Sequence, residues 1–124
     1  MTKSHRLLVI DDNEEILVTL RNFLRKKNYT VSSATNGLDG IKLFDSAADG
    51  FDLVITDLVM PNISGVAVIS MIKKRNPNIP VIAITGYGEE PEALAREANA
   101  NFVMEKPFKL NKLHKTIQKL LDEK

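Results

Sequence analysis

Asp11, Asp12, Asp57, Thr85 and Lys106 are the residues in this chain whose types and placement could do chemistry. Each closes or closely follows a short apolar run. Leu7-Leu8-Val9-Ile10 leads to Asp11-Asp12, Leu53-Val54-Ile55 to Asp57, Pro80-Val81-Ile82-Ala83-Ile84 to Thr85, and Phe102-Val103-Met104 to Lys106. If these runs are neighbouring strands of one sheet, the polar side chains converge at one edge. Carboxylates gathered there repel one another unless a cation or a shifted protonation relieves them. An all-oxygen set with room for water suits magnesium (or manganese), which takes one or two carboxylates plus substrate oxygens. Lys106 adds a point positive charge and the Thr85 hydroxyl a donor. A nucleophile, a metal and donors for equatorial oxygens are the parts of a phosphoryl-transfer site. A carboxylate is a known acceptor, giving an aspartyl phosphate.

Such a convergence requires parallel strands, and the pattern along the chain supplies them. Between the apolar runs lie stretches of helical period: Ile16, Leu20, Phe23 and Leu24 after the capping signature Asp11 to Glu15, then Leu38, Ile41 and Phe44 after the Asn36-Gly37 turn. Pro61 and Gly65 break the chain before a helix on Val66, Ile69 and Ile72. Pro91 opens a short fourth helix near Glu92 to Ala98, and Leu110, Leu113, Ile117, Leu120 and Leu121 line one side of the last. Tyr29 to Ala34, β-branched and modestly polar, reads as an edge strand. Five strands alternating with five helices predict a doubly wound α/β domain, a parallel sheet with helices on both faces. Ligands in such folds sit beyond the carboxyl ends of the strands, where the five candidates lie.

Composition narrows the function classes. The chain has 124 residues, the size of a single domain spanning 1–124, with 44% apolar and 27% charged residues. Net charge is +1, which gives no support to a nucleic-acid or membrane-binding surface. No cysteine is present, excluding disulfides and thiolate chemistry. No apolar stretch reaches the ~18 residues of a membrane helix and no signal-peptide pattern is seen, so a cytoplasmic location is expected.

Four segments together carry a family resemblance: Val9-Ile10-Asp11-Asp12-Asn13, Asp52 through Pro61, Ile84-Thr85-Gly86 and Lys106-Pro107-Phe108. In order, and each at the end of a predicted strand, they resemble response-regulator receiver domains of two-component signalling over essentially the whole chain. The resemblance implies a flavodoxin-like sheet of strand order 2-1-3-4-5. It implies that Asp57 is the phosphorylation site, that Asp12 and Asp57 ligate Mg2+ directly, and that Asp11 acts through bound water. The Val59 backbone carbonyl would be a further ligand, Thr85 and Lys106 would bind phosphoryl oxygens, and the Lys106-Pro107 bond would be cis. A sensor histidine kinase or phosphotransfer protein would be the donor. The output would be a changed surface on helix 4, strand 5 and helix 5, through an effector the sequence does not name or a phosphorylation-dependent dimer. The domain would assist its own phosphorylation and reset and would not act on a separate metabolite.

Each residue also has a plainer reading. Asp11 and Asp12 suit a helix cap, Asp57 a turn, Thr85 a strand interior and Lys106 a solvated loop. Asp52 reads as a strand-start residue, Lys109, Lys112, Lys115 and Lys119 as a solvated helix face, and His5 and His114 lack a ligand pattern. Gly86-Tyr87-Gly88 lacks the third glycine of a dinucleotide loop. Asp11 to Glu15 would repel the phosphate that a flavodoxin-type first loop must hold, and Val59 stands where aspartyl phosphatases place a second acid. A phosphorylation-independent pseudo-receiver is the remaining alternative. Val103, where receivers often carry Tyr or Phe, is a departure; Phe102 should point to the opposite face. Val59 and Tyr87 are expected beside the phosphoryl group, limiting the approach of water.

Overall fold

The structure, a computed structural model, describes residues 4–86, 93–96 and 98–122. Strands β1 (Arg6–Ile10), β2 (Thr30–Ala34), β3 (Leu53–Asp57), β4 (Val81–Thr85) and β5 (Phe102–Glu105) form one sheet in the order β2-β1-β3-β4-β5. Every neighbouring pair is parallel. The helices are α1 (Glu14–Lys26), α2 (Gly37–Ser46), α3 (Gly65–Arg75), a fourth of which residues 93–96 are described (α4), and α5 (Leu110–Asp122). Tyr87, Gly88, Pro91 and Glu92, expected in the loop and first turn before α4, lie outside the described residues.

Strand alternation explains the two layers. Leu7 and Val9 join Leu17, Leu20 and Leu24 of α1 and Leu113, Ile117 and Leu121 of α5 in one core cluster. Leu8 and Ile10 turn the other way, joining Ile41 of α2, Val68, Ile69 and Ile72 of α3, and Ala95 of α4. All five residues of β3 and of β4 are buried, which is why those strands read as continuous apolar runs. Each fully buried Leu or Ile contributes about 1.5–3 kcal/mol, so the sheet's interior is rigid ground for whatever stands at its ends.

Several local readings shift. Asn36 caps α2, its side chain accepting from the Asp39 N–H at 2.8 Å, and Gly37 is the first helical residue rather than part of a free turn. Leu38 is 52% exposed; α2 instead packs through Gly37, Gly40 and Ile41. A Cβ on Gly40 would come within 2.4 Å of Ile10 Cδ1, so the glycine allows the helix to approach β1 closely. Gly65 likewise opens α3, with Ser64 as its cap. No helix among the described residues is long and apolar enough to cross a membrane.

Candidate functional site

The register places the expected residues together. Asp57 lies opposite Ile84, and Thr85 opposite Glu105, so Thr85 and Lys106 each stand one step past their neighbour. Two main-chain bonds fix this staircase: Leu58 N–H to Ile84 O at 2.9 Å and Lys106 N–H to Thr85 O at 2.7 Å. Asp11 directly follows β1 and is held by a 3.1 Å bond from its N–H to Ala34 O. Its Oδ1 accepts from Asn13 N–H at 2.9 Å, while Asn13 caps α1. The capping task thus falls to Asn13, freeing Asp11 and Asp12 from it.

Asp11, Asp57 and Thr85 are buried and Asp12 is exposed. One carboxylate oxygen from each of Asp11, Asp12 and Asp57 lies within 4.8 Å of the others. Lys106 Nζ is 3.4 Å from Asp57 Oδ2 and 3.6 Å from Asp11 Oδ2, with 24% of its side chain exposed. Three negative charges therefore face one positive charge. At such spacings two like charges repel by up to about 4 kcal/mol at an effective dielectric constant near 20. Burial raises the Asp11 pKa; the Asn13 N–H opposes that, Asp57 raises it further, Lys106 lowers it and Asp12 adds to the rise.

Polar atoms here are left without partners. Among the described residues, neither the buried Asp11 Oδ2 nor the buried Thr85 Oγ1 has a hydrogen-bond partner. Asp11 Oδ2 has only the ion-pair contact with Lys106 at 3.6 Å, and a buried polar atom without a hydrogen bond costs about 1–3 kcal/mol. The donor set fits a divalent cation: all oxygen, doubly negative in excess, with trans oxygens of an octahedral magnesium about 4.2 Å apart. Asp11, Asp12 and Asp57 would hold it. Val59, two residues past Asp57, is 63% exposed and lies outside the core.

Two contributors escape a reading by residue chemistry. A Cβ on Gly65 would lie 1.9 Å from the Asp57 carbonyl oxygen and 2.6 Å from Leu58 Cα, so only glycine lets α3 abut the residue that carries the acid. Its one sequence signal is a glycine at the head of a helical period. Thr56, also buried, donates from Oγ1 to Asp57 O at 3.0 Å. Between them the loop turns on Asn62 at φ 70°, with Ile63 N–H bonded to Pro61 O at 2.9 Å. A left-handed asparagine beside the site is a local strain of the kind that clusters at functional loops.

The other candidates stay away from the cluster. Asp52 Oδ2 accepts from the Arg6 N–H at 2.7 Å at the far end of the sheet. His114 meets Phe23 and Tyr29 edge-on, at 6.3 and 5.6 Å between ring centroids. His5, Lys109, Lys112, Lys115 and Lys119 are exposed. The Lys106-Pro107 bond is cis. Val103 packs on the α2–α3 side of the sheet and Met104 on the other, while Phe102 is exposed.

Residues 7–118 match the family of response regulator receiver domains. The chain is 27% identical to the sensor kinase CckA of Brucella abortus, over 99% of this chain and 13% of that protein. It is 36% identical to the transcription factor SKN7 of Candida albicans, over 98% of this chain and 22% of that protein. It spans about half or less of the length of the curated relatives it matches. Among solved structures, a response regulator receiver domain protein from Clostridium thermocellum is similar at TM-score 0.89 and 31% identity, covering 96% of this chain and 95% of that one. A CheY-like receiver domain protein from Methanospirillum hungatei aligns at TM-score 0.93 and 26% identity, covering 98% and 96%.

Proposed function

The chain belongs to the response regulator receiver family, and from that premise we propose that Asp57 accepts a phosphoryl group from a phosphohistidine on a partner kinase or phosphotransfer protein. An Asp57 carboxylate oxygen attacks phosphorus in line, an O–P bond forms, the N–P bond breaks, and the departing imidazole keeps the electron pair and takes up a proton. Asp12 and Asp57 directly, Asp11 through water and the Val59 carbonyl would hold Mg2+ (or Mn2+), whose charge screens the phosphoryl oxygens from the carboxylates. Lys106, already 3.4 Å from Asp57, swings onto one of those oxygens. The observation that carries this reading is the buried Thr85 Oγ1, which has no hydrogen-bond partner among the described residues and could donate to a phosphoryl oxygen.

A phosphoryl group adds about two negative charges and new acceptors. Thr85 moves toward it and shifts a pre-existing equilibrium in the α4–β5–α5 surface. Reversing a 1:99 population requires ~5.5 kcal/mol of preference, within reach of several charge-assisted bonds. With Val103 in place of an aromatic switch, the displacement of Thr85 and the loop after it carries the signal. The domain modifies itself, with no metabolite substrate. It works in the cytoplasm through protein partners, the downstream effector being an attached output region, a separate protein or a second receiver, and not through nucleic acid or membrane.

Incubation with magnesium and acetyl phosphate, followed by intact-mass measurement, tests this. One phosphoryl adduct is expected. No adduct with this donor or with a panel of histidine kinases would replace the proposal with a phosphorylation-independent interaction module.

A further inference from the structure

Thr56 places a hydroxyl in an apolar layer, and it is 0% exposed. Ile10 and Ala83 stand beside it in the register, and Val54 and Leu58 share its side of the strand at period two. All four belong to the core cluster beneath α2 and α3. Valine has nearly the same shape and suits a strand as well, and it would fill this place without burying a hydroxyl. Burying one is unfavourable unless it is hydrogen-bonded. The Thr56 hydroxyl makes that bond with the Asp57 carbonyl oxygen, at 3.0 Å.

That carbonyl stands where the ladder to β1 gives out. Val54 and Leu58 turn their N–H groups toward β4, so the Asp57 carbonyl turns toward β1. The β1–β3 register ends at the pair Ile10 and Thr56, one residue short of Asp57. The peptide joining Asp57 to Leu58 is therefore held at its two ends by different means. Its N–H donates to Ile84 O at 2.9 Å, and its carbonyl accepts from the Thr56 hydroxyl. Gly65 abuts the same oxygen, closely enough that a Cβ there would lie 1.9 Å away. The peptides before and after Asp57 together fix its Cα–Cβ direction, and so the point from which the carboxylate starts. The earlier peptide sits within the sheet; the later one depends on these two bonds.

We propose, resting on the function given above, that Thr56 is a positioning residue for the phosphoacceptor. Its hydroxyl clamps the peptide after Asp57 and keeps the carboxylate aimed at the cation and at the incoming phosphorus. Thr56 itself touches neither. The reaction is sensitive to such aim, because a misplacement of about 1 Å can cost about a hundredfold in rate. The other end of the clamp is Ile84, the residue before Thr85, so one peptide ties the nucleophile to the strand that carries the second hydroxyl.

Thr56→Val and Thr56→Ser separate the hydroxyl from the methyl group. Valine keeps the packing and removes the donor; serine keeps the donor and leaves a methyl-sized gap. Three quantities are measured on both variants and on the unaltered chain: the rate of labelling by acetyl phosphate with magnesium, magnesium affinity by amide NMR, and the urea midpoint. Thr56→Val should label about fivefold more slowly, the kinetic worth of one hydrogen bond, and bind magnesium more weakly. Thr56→Ser should unfold at a lower urea concentration than the unaltered chain, yet label and bind magnesium as that chain does. Labelling that follows stability, with Thr56→Ser the slower variant, or a Thr56→Val rate equal to that of the unaltered chain, would overturn the assignment. No label on the unaltered chain would instead sink the proposed function. Thr56 is then judged on magnesium alone, where equal affinity in Thr56→Val and the unaltered chain overturns it.

Discussion

The two ends of the sheet each carry a lysine, and the two are held in opposite ways. Where the strands begin, Lys73 Nζ donates to Ile79 O at 2.6 Å and to Asn101 Oδ1 at 2.7 Å. Asn101 in turn bonds both main-chain groups of Val81, at 2.9 and 2.8 Å, fixing β4 to the start of β5. Arg6 and Asp52 close the same end, and Arg6 Nε reaches Gly50 O at 2.8 Å. Where the strands finish, Lys106 has longer contacts of 3.4 and 3.6 Å to carboxylates, and among the described residues Asp11 Oδ2 and Thr85 Oγ1 make no hydrogen bond. Satisfied groups hold the fold, and the unsatisfied end is where function belongs.

Breaking the upper end should abolish chemistry and spare the fold. Asp57→Asn is expected to remove the phosphoryl adduct entirely, while relieving carboxylate repulsion and raising stability by about 1 kcal/mol in urea unfolding. Gly65→Ala should do harm on both counts, because its Cβ would overlap the Asp57 carbonyl. A loss of about 3 kcal/mol and slower labelling are expected, by the same two assays. The lysines give the sharpest contrast. Lys73→Met takes away the Lys73 donor to Ile79 O and one of the two donors to Asn101 Oδ1, and should cost about 1 kcal/mol with the yield of labelling unchanged. Lys106→Met, which leaves the buried Asp11 and Asp57 without their cation, should cost about 1 kcal/mol or more and in addition slow labelling or prolong the phosphorylated state.

The smallest effect is in pH. Burial, then the Lys27 charge, lowers the His114 pKa below its usual 6.5. The unfolded chain then takes up its proton first, so this contribution to stability is complete above 6.5 and is lost as pH falls through that value toward the lower folded one. Melting temperature should decline over that window, and His114→Phe should flatten the decline. Asp57→Asn should not, since His114 packs with Phe23 and Tyr29 away from Asp57.

Much of this was legible in the sequence. Apolar runs ending in Asp, Asp, Thr and Lys located the strands and, through the rule for doubly wound sheets, the site. What stayed hidden depends on distance in space between residues far apart in the chain. The Lys73–Asn101 bond spans 28 positions between two unremarkable polar residues. Gly65 reads as a helix breaker until the Asp57 carbonyl is seen beside it. Leu38 obeys helical spacing yet faces solvent, because the glycines of α2 set which side meets β1.

In the proposed function, the carboxyl end of the sheet is a phosphoacceptor site centred on one carboxylate. Borohydride reduction of the labelled chain converts an aspartyl phosphate to homoserine, and peptide mapping then reads its position. Homoserine at position 57 alone is the predicted result; label at Asp11, Asp12 or elsewhere, or none at all under magnesium and donor excess, would contradict the account.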